Sequence, residues 1–497
     1  MSKADINSQP TTNKNVSRVK KLYQRADKGI LALCLVFILT LPLYTPRIYA
    51  SDEIQYFSYL HSVVFDFNLD FTNEYEYFIS INPKKYEGFK KDLLDKKNEN
   101  NLPINVAPIG SALLWSPFYL TAHGISSLGN AMGIKAFNPN GYSPFYIFSV
   151  TFASLLYGFA GIIMCYLLAR EFLSRFWAAF GCIIIWLASP LIFYMSITPP
   201  MSHANSLFTI SLWVFVWHRT RGWKLEETGR FVPGKRSLKA WFALGVLGAL
   251  MTMVREQDGT VMVVVAIEAL LSYRVSLRER NWSEVRRLFS GNLLLVAGLI
   301  VGIIPQLLTY QFLNGHPSPS TIVGNKLRFL NPQLLGLMID PNHGMFLWSP
   351  VLIPSMAGII MMWFNRKLRL ISILLFAAWL AELYISASFL TWTMAGSYGA
   401  RRMVGVSLVY IVGIGYLGWW LTEHRRLLAR WVVVGLGVLF IAWNFGVIVQ
   451  FSAIRDEQSR QNLDPARVVR DQFTVVPGKL IDTAAKFFTK REDFFKK

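Results

Sequence analysis

Two adjacent carboxylates, Asp52 and Glu53, open the polar stretch that follows the first long apolar segment of the chain. Carboxylates at the mouth of a membrane helix are costly to keep and mark a functional position. A pair of cations, Arg401-Arg402, closes the segment Thr391-Trp392-Thr393-Met394-Ala395-Gly396-Ser397-Tyr398-Gly399-Ala400. Its two glycines allow a tight turn or close approach to a ligand, and guanidinium groups suit a phosphate, which they grip with paired hydrogen bonds. Arginines snorkelling to lipid headgroups are the plainer alternative.

Arg255-Glu256-Gln257-Asp258 joins two apolar segments with almost no loop, so these side chains lie at or below the headgroup level. A charge costs about 2.5 to 3.5 kcal/mol near a helix centre, and less at the interface, unless it faces a wet cavity or a partner. A local pair of Arg255 with Asp258 or Glu256 and a place in a polar cavity are both open. Asp340-Pro341-Asn342-His343-Gly344 leads into Met345-Phe346-Leu347-Trp348-Ser349-Pro350. An interfacial aromatic belt accounts for Phe346 and Trp348 but not for His343. In Pro199-Pro200-Met201-Ser202-His203 the histidine sits where a helix cap is the ordinary explanation.

The elements that must carry these groups are membrane helices. The chain of 497 residues is 53% hydrophobic and 16% charged, and apolar segments of about 17 to 25 residues, enough to cross a bilayer core of roughly 30 Å, recur along it. An all-α polytopic membrane protein is expected, with no soluble domain of ordinary size left over. The first span, Gly29 to Tyr44, follows a polar leader of 28 residues without a small-residue cleavage site and reads as a retained anchor. Cys34, Cys165 and Cys182 fall inside predicted spans and imply neither disulfides nor a metal site.

A net charge of +20 invites a nucleic-acid partner, but the basic residues are sorted by membrane side. Ten further spans at 142–168, 176–195, 203–218, 240–254, 258–273, 291–312, 345–363, 369–389, 403–421 and 431–451 leave basic segments alternating with nearly neutral ones. The segments 169–176, 218–240, 274–290, 364–369 and 422–430 hold twenty Lys and Arg, whereas the intervening short ones hold five. By the positive-inside rule the basic set is cytoplasmic, which gives about eleven spans, an inner N-terminus and an outer C-terminus. The scarcity of outer cations favours a phosphate role for Arg401-Arg402. Segment 104–129 is expected to be interfacial or re-entrant, because a twelfth crossing would move the basic set outside. The loop 46–141 is then wholly outer. The tail 452–497, with ten basic residues, is expected to lay Leu480, Ile481, Ala484, Phe487 and Phe488 on lipid.

Gly413-Ile414-Gly415-Tyr416-Leu417-Gly418 matches a dinucleotide pattern but lies within a span and is expected to be a close helix contact. No H-E-x-x-H, P-loop or G-x-S-x-G pattern occurs.

The acidic motif after the first span, the stretch from His343 to Pro350 and the stretch from Gly396 to Arg401 together resemble the GT-C class of integral-membrane glycosyltransferases. The resemblance is to a bacterial branch related to the protein mannosyltransferase and aminoarabinose transferase families, and it covers residues 29–451. It implies a large first outer loop with juxtamembrane helices, a polyprenyl-phosphate sugar donor, and a lipid, glycan or protein acceptor. Localisation would be the bacterial inner membrane, with the active site facing the periplasm. Asp52, or Glu53, would take the acceptor proton as the bond forms, with Asp52 favoured, and inversion at the anomeric centre would follow. Arg401, Arg402 and Arg255 would hold the leaving phosphate. Tyr56, His203, Gln257, Asn342, His343 and Tyr398 are the substrate-contact candidates. A divalent metal on Asp52 or Glu53 is an alternative to an arginine, and the cofactor is otherwise open. Many relatives end in a folded outer domain, whereas about 45 residues follow the last span here. A transporter or flippase, in which polar residues would spread through the bilayer midplane, and an outer-face glycan ligase or polymerase are the rival readings.

Overall fold

Long apolar runs in lipid must satisfy every backbone group internally, so they fold as helices. The computed structural model describes residues 27–226, 229–394, 396–423, 427–454 and 464–490; most of the polar leader therefore lies outside the described residues. The chain runs through α1 Lys28–Thr40, α2 Ser51–His61, α3 Gly110–Ala131, α4 Pro144–Ala169, α5 Arg175–Ala188, α6 His203–Arg219 and α7 Leu238–Val254. It continues through α8 Val263–Arg278, preceded by a tight turn of helix Glu256–Met262, then α9 Trp282–Asn314, α10 Leu352–Met362, α11 Arg369–Ser388, α12 Ser407–Thr422 and α13 Leu427–Val449. The tail adds α14 Pro465–Thr474 and α15 Val476–Thr489. Among the described residues, five helical stretches are long and apolar enough to cross a membrane unaided, 144–169, 256–278, 282–314, 369–388 and 428–454, and the other apolar helices are shorter. The only strands among the described residues, β1 Trp223–Leu225 and β2 Phe231–Pro233, form an antiparallel hairpin. All three cysteines are free.

The helices place their connecting segments at two ends. At one end Asp27 caps α1, accepting from the Gly29 amide at 2.9 Å, and pairs with Arg170 at the finish of α4. Arg219 meets Glu171 at 2.8 Å and Arg230 meets Glu279 at 3.1 Å, while Arg287 donates to the Gly234 carbonyl and the Arg430 guanidinium lies 3.6 Å over the Phe176 ring. These contacts tie the basic segments 169–176, 218–240, 274–290 and 422–430 to one another. Exposed pairs of this kind add little stability. The exception is buried: Arg236 meets Glu268 at 3.1 Å, and Trp217 Nε1 donates to the same carboxylate.

The other end carries the remaining connections. Thr45 N donates to the Ser196 carbonyl at 2.8 Å, and Glu99 accepts from the Thr321 amide at 2.8 Å. Leu327 bridges to Phe389. Phe451, at the close of the last span, packs 5.3 Å from Tyr398 and 5.9 Å from Trp348, which puts the start of the tail at this end. Gly110, at the start of α3, abuts Met253 and Val254 at the finish of α7, and Gly129 abuts Phe137. Segment 46–141 has its own apolar core, in which Ile54, Phe57, Phe71, Tyr75, Phe78, Trp115 and Tyr119 pack on Tyr146 and Val150 of α4.

Close helix packing accounts for the glycines of α12. A Cβ on Gly413 would collide with the Ser355 carbonyl of α10, and one on Gly415 would lie 2.8 Å from the Trp177 carbonyl of α5. The tail helices are amphipathic. Gln450 donates to the Val468 carbonyl at 3.0 Å and Gln472 to the Trp443 carbonyl at 3.0 Å, holding α14 on α13. Leu480, Ile481 and Phe488 remain exposed, while the Phe487 side chain lies outside the described residues.

Candidate active site

Ten residues separate the end of α1 at Thr40 from the start of α2 at Ser51, and the first turn of α2 follows directly on that connection. Successive residues on a helix point about 100° apart, and this separates the two carboxylates. Asp52 faces a cavity with room for about 250 Å³ of solvent, where its Oδ2 meets Arg401 Nη1 at 3.0 Å. Glu53 turns away and is 2% exposed; its Oε2 accepts from the Tyr49 amide at 2.6 Å and the Ala50 amide at 3.1 Å, so it caps the helix. Burial pushes the Glu53 carboxyl up to about 7, against the pull of those two amides. The pair therefore does not offer two oxygens to a single cation in the cavity.

Four helical residues after Asp52, Tyr56 lies on the same face. Its hydroxyl donates to Ser202 Oγ at 2.9 Å, and Arg255 Nη1 donates to that same oxygen at 2.9 Å. Arg255 Nη2 reaches Gln257 Oε1 at 3.3 Å, and Gln257 Nε2 donates to the Arg402 carbonyl at 3.1 Å and to Glu382 of α11. Arg255 is thus held by neutral groups and not by Glu256 or Asp258; Glu256 instead accepts from the Tyr310 hydroxyl. Arg402 donates to the carbonyl and hydroxyl of Thr391 at 3.0 and 3.2 Å and lies 4.3 Å over the Phe389 ring.

Arg401 and Arg402 sit in a short helical turn whose approach bends at Gly399, with a φ of +57°, a conformation glycine adopts without strain. Tyr194 fixes this segment: its hydroxyl donates to the Tyr398 carbonyl and accepts from the Tyr398 amide, both at 3.0 Å. Burial works most strongly against charge on Arg401, but Asp52 and the Tyr194 and Tyr56 hydroxyls together make the net shift upward. For Arg402 burial acts first and the Arg401 and Arg255 guanidiniums add to it, taking it down to about 9. The cavity lining holds Arg255, Lys326, Arg401 and Arg402 against Asp52 and Glu256. Such an excess of partly desolvated cations favours an anion.

Of the candidates read from the sequence, Asp52, Tyr56, Arg255, Gln257, Arg401 and Arg402 line this one cavity. Glu53, His203, Asn342, His343 and Tyr398 are not among its lining residues. His203 is buried against the Tyr194 ring at 4.4 Å. His343 has a φ of +72°, stacks on Trp348 at 4.8 Å and pairs through Nδ1 with Asn342 Oδ1 at 2.8 Å; burial takes it down to about 4, so the ring is neutral. The Tyr398 hydroxyl donates to Asn444 Oδ1 at 2.8 Å, fastening the arginine segment to α13. Gln55 and Lys326 also line the cavity without having been singled out from the sequence, whereas Glu256 and Thr391 belong to the two segments read there as candidates for a polar cavity and a ligand approach. Gln55 was discoverable, since it stands three residues after Asp52 on one helix face. Lys326 carries no such signal.

Residues 144–285 match the family model of dolichyl-phosphate-mannose-protein mannosyltransferases, less than a third of the chain. The match supports the resemblance to GT-C enzymes and, with the apolar helices, indicates an integral-membrane glycosyltransferase. No curated protein and no solved structure matches the chain.

Proposed function

We propose that this chain transfers a sugar from a polyprenyl-phosphate donor to a hydroxyl of a lipid, glycan or protein acceptor, on the outer face of a bacterial inner membrane and with inversion. The observation that carries the reading is the convergence of Asp52 with Arg255, Arg401 and Arg402 on one cavity. Asp52 takes the acceptor proton as the oxygen attacks the anomeric carbon. The donor phosphodiester gains charge as it leaves, and the arginines, already fixed by Ser202, Gln257 and Thr391, stabilise that charge without reorganising. Arg401 bridges base and phosphate, since it already holds Asp52.

The domain reading that accompanies this is a cytoplasmic leader 1–28, a catalytic membrane domain 29–451 with eleven crossings, and an outer amphipathic tail 452–497. The mutual contacts of the basic segments support it, as does the contact of Gly110 at the start of α3 with the finish of α7. Glu268 and Glu382, the acidic residues a transporter would use at the midplane, support it as well. Glu268 is committed to Arg236 at the basic end, and Glu382 to Gln257 behind the cavity.

The family's name makes a mannosyl donor the first to try. Purified protein given labelled polyprenyl-phosphate mannose and membrane lipids is expected to transfer sugar, and Arg401→Ala to lose about 100-fold, the scale of removing one preorganised donor. Undiminished transfer by Arg401→Ala would remove the phosphate role.

A further inference from the structure

The far end of α2 carries a second cluster, apart from the cavity. His61 Nδ1 lies 2.8 Å from Glu74 Oε1 and 3.5 Å from Asp66 Oδ2, and one ligand atom from each of the three residues falls within 4.8 Å of the others. Glu74 is wholly buried, and its Oε2 has no hydrogen-bond donor. Two carboxylates directed at one imidazole, one of them out of reach of water, require a positive charge among them. We propose that a divalent cation of the zinc type occupies this position, ligated by His61, Asp66 and Glu74.

The geometry and the surroundings fit. Bonds of 2.0 to 2.2 Å in a tetrahedral site place neighbouring ligand atoms roughly 3.4 Å apart. The His61–Asp66 separation already has that value, and His61–Glu74 needs to open by a fraction of an ångström. One nitrogen with two carboxylate oxygens suits zinc, whereas magnesium and calcium favour oxygen alone. Supporting contacts of the kind that orient metal ligands are present. Phe65 and Tyr142 sandwich the His61 ring at 4.7 and 4.0 Å, and Asn73 Nδ2 donates to Asp66 Oδ2 at 2.9 Å. Asp66 is partly exposed, which leaves a fourth position for water and a route of entry. The cation would pin the turn Ser62–Asp66 to the helix Thr72–Ser80. It would thereby hold the end of α2 opposite to Asp52, about 14 Å along the helix axis. This inference stands independently of the transfer reaction.

The test uses the full chain in detergent, stripped with EDTA, equilibrated with ZnCl₂ and passed through a desalting column. Elemental analysis is expected to find one zinc per wild-type chain, with a raised unfolding midpoint that MgCl₂ does not reproduce. Asp66→Asn, altered at a partly exposed position and so able to fold, is expected to bind zinc at least tenfold more weakly, and His61→Ala to retain none. Wild type emerging without zinc, or zinc retained equally by Asp66→Asn and His61→Ala, would overturn the assignment and leave a proton-bound ion pair in its place.

Discussion

Glu53→Gln separates a capping carboxylate from a catalytic one. Burial raises the Glu53 carboxyl from 4.5 to about 7 in the folded chain, a difference worth about 3 kcal/mol at 1.36 kcal/mol per unit. Between those two values the folded state binds more protons than the unfolded one, so stability falls as pH rises through the window. Below pH 4.5 both states are protonated and the term vanishes; above pH 7 the folded state carries the whole penalty. The glutamine variant has no such term. Its side-chain oxygen can still accept from the Tyr49 and Ala50 amides. The assay is thermal unfolding of both proteins in detergent at half-unit steps from pH 4.5 to 8. The wild type is expected to lose stability relative to Glu53→Gln across that range, by an amount corresponding to about 3 kcal/mol, while the variant keeps most of its transfer activity. A gap that stays constant with pH would refute the buried position of Glu53. Loss of transfer without change in stability would put Glu53 into the chemistry.

Other perturbations test neighbouring parts of the account. Arg402→Ala removes a guanidinium held by Thr391 and Phe389, and transfer by purified protein is expected to fall about 100-fold. Glu268→Ala leaves Arg236 buried without its charge partner, and is expected to destabilise the fold by about 3 to 5 kcal/mol, read as reduced yield of monodisperse protein; a joint Arg236→Met, Glu268→Leu replacement should recover much of that loss.

The bundle was legible because its information is long and repetitive. Sorting of Lys and Arg between alternate segments anticipated which connections meet one another, and the contacts Arg219–Glu171 and Arg230–Glu279 join segments from the basic set. The glycines of α12 were legible as packing because no strand precedes them. Asp52 against Glu53 was not legible, since the answer depends on which way each side chain leaves the first turn of α2. A capping residue is normally announced by Ser or Thr three positions before a glutamate; here Ala50 stands there and the signal is missing. His343 and Tyr398 drew notice as unusual polar residues in conspicuous loops. The structure shows them bracing those loops against Trp348 and Asn444. Lys326 reaches the cavity from a segment with no pattern at all, brought there by the bridge from Leu327 to Phe389.

Asp52 is proposed as the base of a lipid-phosphate site. The most direct test is the rate of sugar transfer from a labelled polyprenyl-phosphate donor by Asp52→Asn, measured beside wild type on protein of matched stability. Asparagine keeps the shape and a hydrogen bond to Arg401 but cannot take a proton, so the rate is expected to fall by about 100-fold or more. Transfer that continues at the wild-type rate would contradict the account.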